Sequence, residues 1–297
     1  MFVEKLIVIE GTTASGKSDL GVLLAERLQG EIVSADSRQV FRGLDIGSGK
    51  ITKAEMRGVP HHLLDVADPG DFFSAADFQR LAYPAIDGIL ARGHVPFLVG
   101  GTGLYIDAVA DGFLFSEKKP DLAYRAELDR LSTPELAQLL RQTLPDWEVD
   151  EKNRNRVMRV LEKYHDGDID RPGKAPRYEV LRLGVTWDRD EVRRRIDERL
   201  ERRFASGMTE EIRALLSSGV SAQFLESLGL EYRFITRYVT GQIESFEEMK
   251  SLLATAIKQF ARRQMVWFRR HRDVIWLDMA ANPLREAEEA VRGFLAR

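Results

Sequence analysis

The residues Gly11, Thr12, Thr13, Ala14, Ser15, Gly16, Lys17 and Ser18 put a lysine and a hydroxyl directly behind a glycine-bounded turn. Glycine lets the backbone curl so that successive N–H groups point inward. With the positive end of a following helix, those donors make a socket for phosphate or diphosphate. In such a P-loop, Lys17 bridges terminal phosphate oxygens and Ser18 ligates a magnesium ion. The motif needs a strand before it and a helix after it. The apolar run Leu6-Ile7-Val8-Ile9 and the helical pattern from Asp19 to Arg27 supply both.

P-loop enzymes that activate water usually carry a second apolar strand ending in an acid. The best candidate here, Val95-Pro96-Phe97-Leu98-Val99, runs into Gly100-Gly101-Thr102-Gly103 instead. A different strand, Glu31-Ile32-Val33-Ser34-Ala35, ends in Asp36, followed at once by Ser37, Arg38 and Gln39. Ligands of doubly wound sheets sit beyond the carboxyl ends of the strands. Asp36, Thr102 and the P-loop are therefore expected to share one crevice, with the water-activating acid replaced by other equipment.

These residues need a scaffold. Strands are expected at 2–9, 31–35, 61–66 and 95–99, with helices at 17–28, 74–92 and 102–110; Pro84 should kink or divide the second helix, and Thr102 is placed to cap the third. The alternation points to an α/β fold, a P-loop doubly wound parallel sheet. The long loop 42–60, rich in glycine, lies at the mouth of that sheet, where such loops usually serve function. From 113 to 177 the pattern turns helical (121–131, 134–143 and 153–165), with Thr133 as cap and Pro134 at the first helical position. A polar linker at Gly167–Pro176 follows, then a strand at 178–187 returns to the sheet. Helices at 188–206, 209–217, 230–240, 246–272 and 284–296 and a strand at 274–278 complete the chain. The expected organisation is a catalytic core of 1–112 and 178–297 with a helical C-terminal region, interrupted by an inserted all-helical subdomain at 113–177. His61 and His62 are adjacent on a strand, so they face opposite ways and cannot chelate one metal.

A chain of 297 residues can bury a full core. It has no cysteine, which excludes disulfides and cysteine-based zinc sites. No apolar stretch reaches membrane-spanning length and no secretory leader is visible, so a cytoplasmic protein without membrane contact is expected. The net charge of −3 conceals two basic segments. Between Arg189 and Arg203, acids nearly cancel the arginines, as on a solvated helix face. Between Lys258 and Arg272 there is no acid, and Phe260, Trp267 and Phe268 interleave the arginines, a composition suited to RNA backbone contact.

Taken together, these segments resemble the tRNA dimethylallyltransferase (tRNA isopentenyltransferase) family in its short bacterial form, almost end to end. The family's Gly-Pro-Thr-Ala-Ser-Gly-Lys-Ser/Thr loop corresponds to Gly11–Ser18, with Thr12 in place of proline. Its Asp-Ser-Arg-Gln-Val-Tyr-Arg-Gly-Leu-Asp-Ile-Gly-Thr stretch corresponds to Asp36–Ser48, with Phe41 and Ser48 substituted. The segments 58–65, 73–78 and 99–105 match as well, and Arg262-Arg263-Gln264-Met265-Val266-Trp267-Phe268-Arg269 is similar to Lys-Arg-Gln-x-Thr-Trp-Phe-Arg. The resemblance implies transfer of a dimethylallyl group from dimethylallyl diphosphate to N6 of adenosine 37 in the anticodon stem-loop of tRNA, with Mg2+ as cofactor; a monomer is expected. It assigns Thr13–Ser18 to the prenyl diphosphate and Asp36, Ser37, Arg38 and Gln39 to tRNA. Arg263 and Gln264 in the late basic helix fall to tRNA too. In the inserted helices, the family's Asn-x-x-Arg pattern corresponds to Asn153–Glu162, which makes Arg156 and Arg159 tRNA contacts, with Arg125 a further matching basic position.

The residue chemistry fits that reaction. Backbone donors, Lys17 and a magnesium ion on Ser18 absorb the charge that develops as the allylic C–O bond breaks. An exocyclic amine is a poor nucleophile until it loses a proton as C–N forms, and Asp36 is the natural acceptor. Thr102 lies within reach of the adenine or the diphosphate. The adenosine sits in a stacked loop and must be splayed out to react. Two other enzymes would share the socket: an adenylate isopentenyltransferase acting on free AMP, and a P-loop small-molecule kinase. The basic helix and the inserted helices favour RNA over AMP. The absence of an acid after Val99 and the presence of Asp36-Ser37-Arg38-Gln39 disfavour the kinase.

Overall fold

Leu6, Ile7, Val8 and Ile9 are all fully buried. A strand that is apolar on both faces fits the middle of a parallel sheet covered on both sides, and β1 (Lys5–Gly11) lies there, paired with β4 and β5. The computed structural model describes residues 4–115, 121–168 and 173–297. They form two compact units: Met1–Gly112 with Pro176–Arg297, and Phe113–Ala175.

In the first unit, β1 is joined by β2 (Gly30–Ala35), β3 (His61–His62), β4 (Val95–Gly100), β5 (Glu179–Thr186) and β6 (Val274–Asp278). The sheet order is β3-β2-β4-β1-β5-β6, with every pair parallel. The chain leaves β1 towards β2 on one side, while β5 and β6 add on the other. That reversal opens a crevice beyond the carboxyl ends of the central strands. In chain order the helices are α1 (Lys17–Arg27), α2 (Lys53–Met56), α3 (Ala75–Ala91) and α4 (Gly103–Ala110); α5 (Leu122–Asp129), α6 (Thr133–Thr143) and α7 (Arg154–His165) in the second unit; then α8 (Arg189–Ala205), α9 (Met208–Ser217), α10 (Ala222–Leu228), α11 (Leu230–Val239), α12 (Phe246–Phe268) and α13 (Leu284–Leu295).

One sheet face buries Ile7, Ile9 and Leu183 against Leu20 and Leu24 of α1 and Val291 and Phe294 of α13. On β1, α4 and α12 also pack. In α12 the buried residues Met249, Leu253, Ile257, Ala261, Gln264 and Phe268 recur at helical spacing, and Gln264 is the one polar member of that stripe. Gly100 is required where β2 and β4 meet. A Cβ there would lie 2.1 Å from the Ala35 carbonyl oxygen, closer than any side chain permits.

Several sequence expectations change. The strand expected at 61–66 is only two residues long, because Leu63 and Asp65 turn into the left-handed region at φ 63° and 55°. Val66 and Ala67 bond instead to the Val40 carbonyl. Pro84 does not divide α3, which continues from Ala75 to Ala91. Loop 42–60 contains α2, closed by a capping box between Thr52 and Glu55. The helix α10 was not anticipated, and α12 ends at Phe268 rather than 272. The first two residues of the strand expected at 2–9 and residues 169–172 of the expected linker lie outside the described residues.

At the other end of β2, the Glu31 carboxylate is almost fully buried among Arg92, His62 and His94. Oε1 accepts from Arg92 Nε and pairs with His94 Nδ1 at 2.8 Å each; Oε2 accepts from Arg92 Nη2 at 2.8 Å and faces His62 Nε2 at 2.6 Å. The hydrogen bonds from Arg92 lead in holding the Glu31 carboxyl down at about 2, against burial. A carboxylate with a depressed native pKa stabilises the fold above its unfolded value, and that contribution is lost as pH falls through the native one. Glu31→Gln is therefore expected to cost about 1–3 kcal/mol near neutrality, with the difference from wild type shrinking in urea titrations as pH falls from about 4.5 towards 2.

In the second unit, α5, α6 and α7 enclose a core of Leu128, Leu136, Leu140, Val157, Met158 and Leu161. Ser132, not Thr133, caps α6, in a capping box with Glu135. Asn153 caps α7 by accepting the Arg156 N–H.

Candidate active site

The P-loop emerges from β1 as expected, but its shape is held by distant side chains. Gly16 caps α1 at φ 85°, and Ala14 also takes positive φ, 60°. Strain of that kind persists only where neighbours enforce it. Trp187 Nε1 donates to the Ser15 carbonyl at 2.9 Å, and Arg195 Nε donates to the Ala14 carbonyl at 2.9 Å. The Thr13 N–H donates to Gln264 Oε1 at 2.9 Å. Gly11 lets β1 pass Val185 closely, since a Cβ would meet its Cγ2 at 2.6 Å. The Ser15 hydroxyl is buried without a hydrogen-bond partner among the described residues.

Next to this turn, β2 ends at Asp36. The Asp36 carboxylate accepts the Arg38 N–H at 2.9 Å and stands 3.7 Å from Arg38 Nε. The Ser37 N–H donates to Thr102 Oγ1 at 3.0 Å. Thr102 thus ties the end of β2 to the end of β4 and makes no side-chain cap on α4, contrary to the sequence expectation. Its hydroxyl is committed because the two strand ends lie side by side. Gln39 accepts from Ser34 Oγ at 3.1 Å and donates to the Gly49 carbonyl at 3.0 Å.

Lys17, Ser18, Asp36, Arg38, Gln39 and Arg199 share one open cleft that Thr13, Gly49, Gly101, Glu231 and Gln264 also line. The cleft is strongly cationic. Burial, and then the neighbouring Arg199, push the Lys17 ammonium down to about 8. Burial and Arg203 likewise lower Arg199. Such a cluster of crowded cations suits an anionic ligand. Ser18 is exposed at the start of α1, in the same cleft as the Asp36 carboxylate. Hydroxyl and carboxylate oxygens of this kind suit Mg2+ held between protein and phosphate oxygens.

The arginines of α8 were missed as site residues. Their charge is nearly balanced in sequence, but most of the balancing acids point elsewhere: Asp190 to Arg193, Glu191 and Glu198 to Arg194, Asp197 to Lys258 and Glu201 to Lys250, with Glu191 also 4.0 Å from Arg195. Arg195, Arg199 and Arg203, spaced four apart, face the loops. Arg195 lies over the Trp187 ring at 4.7 Å, Arg199 bonds the Thr13 hydroxyl, and Arg203 donates to the Gly47 carbonyl at 3.4 Å. The four-residue spacing was the available signal.

The Gln264 carboxamide is spent on the backbone. Nε2 donates to the Gly101 carbonyl at 2.8 Å, while Oε1 accepts from Thr13. It is buried and pins the P-loop to the end of β4, a structural tie that the expected tRNA contact did not include. Arg263 is exposed, 5.8 Å from the Phe260 ring centroid. In the second unit, Arg156 is exposed, whereas Arg125 and Arg159 flank the buried Glu162 carboxylate at 3.1 and 3.2 Å.

Asp107, Asp111 and His271 form a further acidic group whose ligand atoms lie within metal-binding range of one another. A protein cation already sits among them: Arg182 bonds Glu10 at 3.0 Å, Asp107 at 3.3 Å and Asp111 at 2.7 Å. Trp267 Nε1 donates to Asp107 Oδ2 at 2.8 Å. The group is therefore an internal salt-bridge network.

The family model described as IPP transferase matches residues 39–271. The chain is 48% identical over 269 residues to tRNA dimethylallyltransferase 2 of Shewanella sediminis, covering 89% of each chain. It is 43% identical over 293 residues to tRNA dimethylallyltransferase 1 of Geotalea uraniireducens, covering 97% of each. The crystal structure of the full-length tRNA isopentenylpyrophosphate transferase from Bacillus halodurans aligns with a TM-score of 0.75 at 37% identity, over 98% of this chain and 96% of that one. The P-loop, the Asp36 turn and the matched relatives agree on one assignment: the chain belongs to the IPP transferase family of tRNA dimethylallyltransferases.

Proposed function

We propose that this chain moves a dimethylallyl group from dimethylallyl diphosphate to N6 of adenosine 37, presented by the anticodon stem-loop of tRNA. The observation that carries the reading is the shared cleft of Lys17, Ser18 and Asp36. The P-loop amides, Lys17 and Arg199 receive the diphosphate. As the allylic C–O bond breaks, its electron pair leaves with pyrophosphate, whose growing charge these groups stabilise. N6 supplies the pair for the new C–N bond and gives its proton to the Asp36 carboxylate. Ser18 and the diphosphate oxygens would hold Mg2+, which supplies further countercharge for the leaving group. Arg38, Arg263 and Arg156 offer donors to RNA phosphates or base edges. Arg125 and Arg159 would contribute from the Glu162 cluster, and the Asp36–Gln39 turn with Thr102 would shape the acceptor side. Relatives of this identity carry tRNA in their names, which favours RNA over free AMP and prenyl over phosphoryl transfer.

Incubation with dimethylallyl diphosphate and unmodified tRNA, followed by nucleoside mass analysis, is expected to yield isopentenyladenosine. Product from AMP alone, or none from RNA, would sink the reading. Lys17→Ala is expected to weaken dimethylallyl diphosphate roughly 10- to 100-fold, the worth of a charge-assisted hydrogen bond. Because burial pushes Lys17 down to about 8, its charge in the free protein fades as pH rises through that value. The difference between wild type and Lys17→Ala in pyrophosphate affinity, read by calorimetry, should therefore shrink above it.

A further inference from the structure

The two sides of the cleft are held by separate sets of anchors. Trp187, Arg195 and Gln264 hold the P-loop through the Ser15, Ala14 and Thr13 backbone. None of them holds the opposite wall, where Ser48 and Gly49 line the cleft.

One carboxylate gathers the backbone of that wall. Glu211, on α9, accepts the backbone N–H groups of Asp45 and Ile46 on Oε2 at 3.0 and 2.6 Å. Its Oε1 accepts the Gly47 N–H and the Tyr232 hydroxyl, each at 3.0 Å. Three successive amides converging on one carboxylate form an anion nest whose anion is supplied by the protein itself. Such charge-assisted bonds are stronger than neutral ones. Tyr232 is fully buried and packs so closely on Gly47 that a Cβ there would lie 2.7 Å from its Cζ.

Consequences run from the nest into the cleft. The Gly49 carbonyl accepts Gln39 Nε2, which sets the side chain that follows the Asp36–Arg38 turn. The Gly47 carbonyl accepts from Arg203, which also pairs with Glu231 at 3.3 Å. A Cβ on Gly49 would fall on the Arg203 guanidinium. Loop, Gln39 and Arg203 are thus joined by direct contacts.

We infer that Glu211 is a positioning residue for the acceptor wall, fixing the 45–49 loop and through it Gln39, while leaving the diphosphate side to other anchors. The inference rests on the prenyl-transfer reading only for the identity of the acceptor. Lys50 also braces the loop, through Phe41, Asp45 and Asp65, so loss of Glu211 should loosen the loop without unfolding the protein.

The test compares wild type, Glu211→Ala and Glu211→Gln. Hydrogen exchange at Asp45, Ile46 and Gly47 should be slow in wild type and fast in Glu211→Ala. kcat/KM for an anticodon stem-loop should fall roughly 10- to 100-fold, the cost of an ångström-scale misplacement, while pyrophosphate affinity changes much less, because the P-loop keeps its own anchors. Glu211→Gln keeps one carbonyl acceptor and should recover part of the loss. Tyr232→Phe, which removes one of the four donors, gives the same split in weaker form should Glu211→Ala fail to fold. A parallel loss of pyrophosphate affinity, or wild-type kinetics despite fast exchange, would overturn the inference. Should the acceptor prove to be AMP, the tRNA reading falls, and the same split read with AMP still decides the role of Glu211.

Discussion

Asp36→Ala is expected to lower the turnover of prenyl transfer by roughly 100-fold or more, the usual scale for a general base. RNA affinity should change far less. The geometry gives the reason. Asp36 stands at the carboxyl end of β2, in the cleft that holds Lys17 and Ser18. Its Oδ1 holds the Arg38 N–H, so the backbone turn orients the carboxylate. Thr102 fixes the adjacent Ser37 amide. On the proposed mechanism, removing the carboxylate takes away the proton acceptor and leaves the diphosphate socket intact. Asp36→Asn sharpens the test, because it keeps the hydrogen bond to Arg38 and loses only basicity. Single-turnover rates at saturating diphosphate and RNA separate chemistry from binding. Unchanged turnover in both variants would remove Asp36 from the base role.

The second large effect falls on stability. Arg182→Ala is expected to destabilise the fold by about 3–5 kcal/mol, the cost of leaving buried charges without their partner. Arg182 is almost wholly buried on β5, with Glu10 on one side and Asp107 and Asp111 of the α4 end on the other. Asp107 also binds the Trp267 indole and stands 2.9 Å from His271 Nε2. Burial, only partly offset by Arg182, pushes the Glu10 carboxyl up to about 7, with Asp107 raising it further. A carboxyl whose native pKa is raised favours the fold at low pH, and that contribution fades as pH rises through the native value. The penalty of Arg182→Ala should therefore grow above about pH 7, where Glu10 would have to be charged without its guanidinium. Urea unfolding on both sides of that pH reads the effect. Arg182→Ala combined with Glu10→Gln should recover part of the loss, and no recovery would show that the network is uncoupled.

Both predictions depend on placements of different visibility. The fully apolar Leu6–Ile9 run announces a central parallel strand, because such a strand needs apolar residues on both faces. Gly11, Gly16, Lys17 and Ser18 announce the phosphate turn, because its backbone geometry is local. Asp36 is legible for a similar reason: a polar run directly after an apolar strand marks the strand end, where doubly wound sheets bind ligands. These are properties of a few neighbouring residues.

What could not be read locally depends on which helix face turns inward. The arginines of α8 are cancelled in composition, yet Arg195, Arg199 and Arg203 form one stripe while the acids pair with Arg193, Arg194, Lys250 and Lys258. Gln264 sits within a basic, aromatic segment that suggested RNA, but the stripe it shares with Ile257 and Phe268 buries it against Thr13, 251 residues away. Thr102 looked like a helix cap until the end of β2 was placed beside it. Glu211 carried no motif, since an anion nest exists only once a loop has been folded over the helix. Neighbour-to-neighbour chemistry set the strand, the phosphate turn and the strand end at Asp36. Contacts between segments far apart in the chain, formed only on packing, decided which charges face the cleft and which brace its walls.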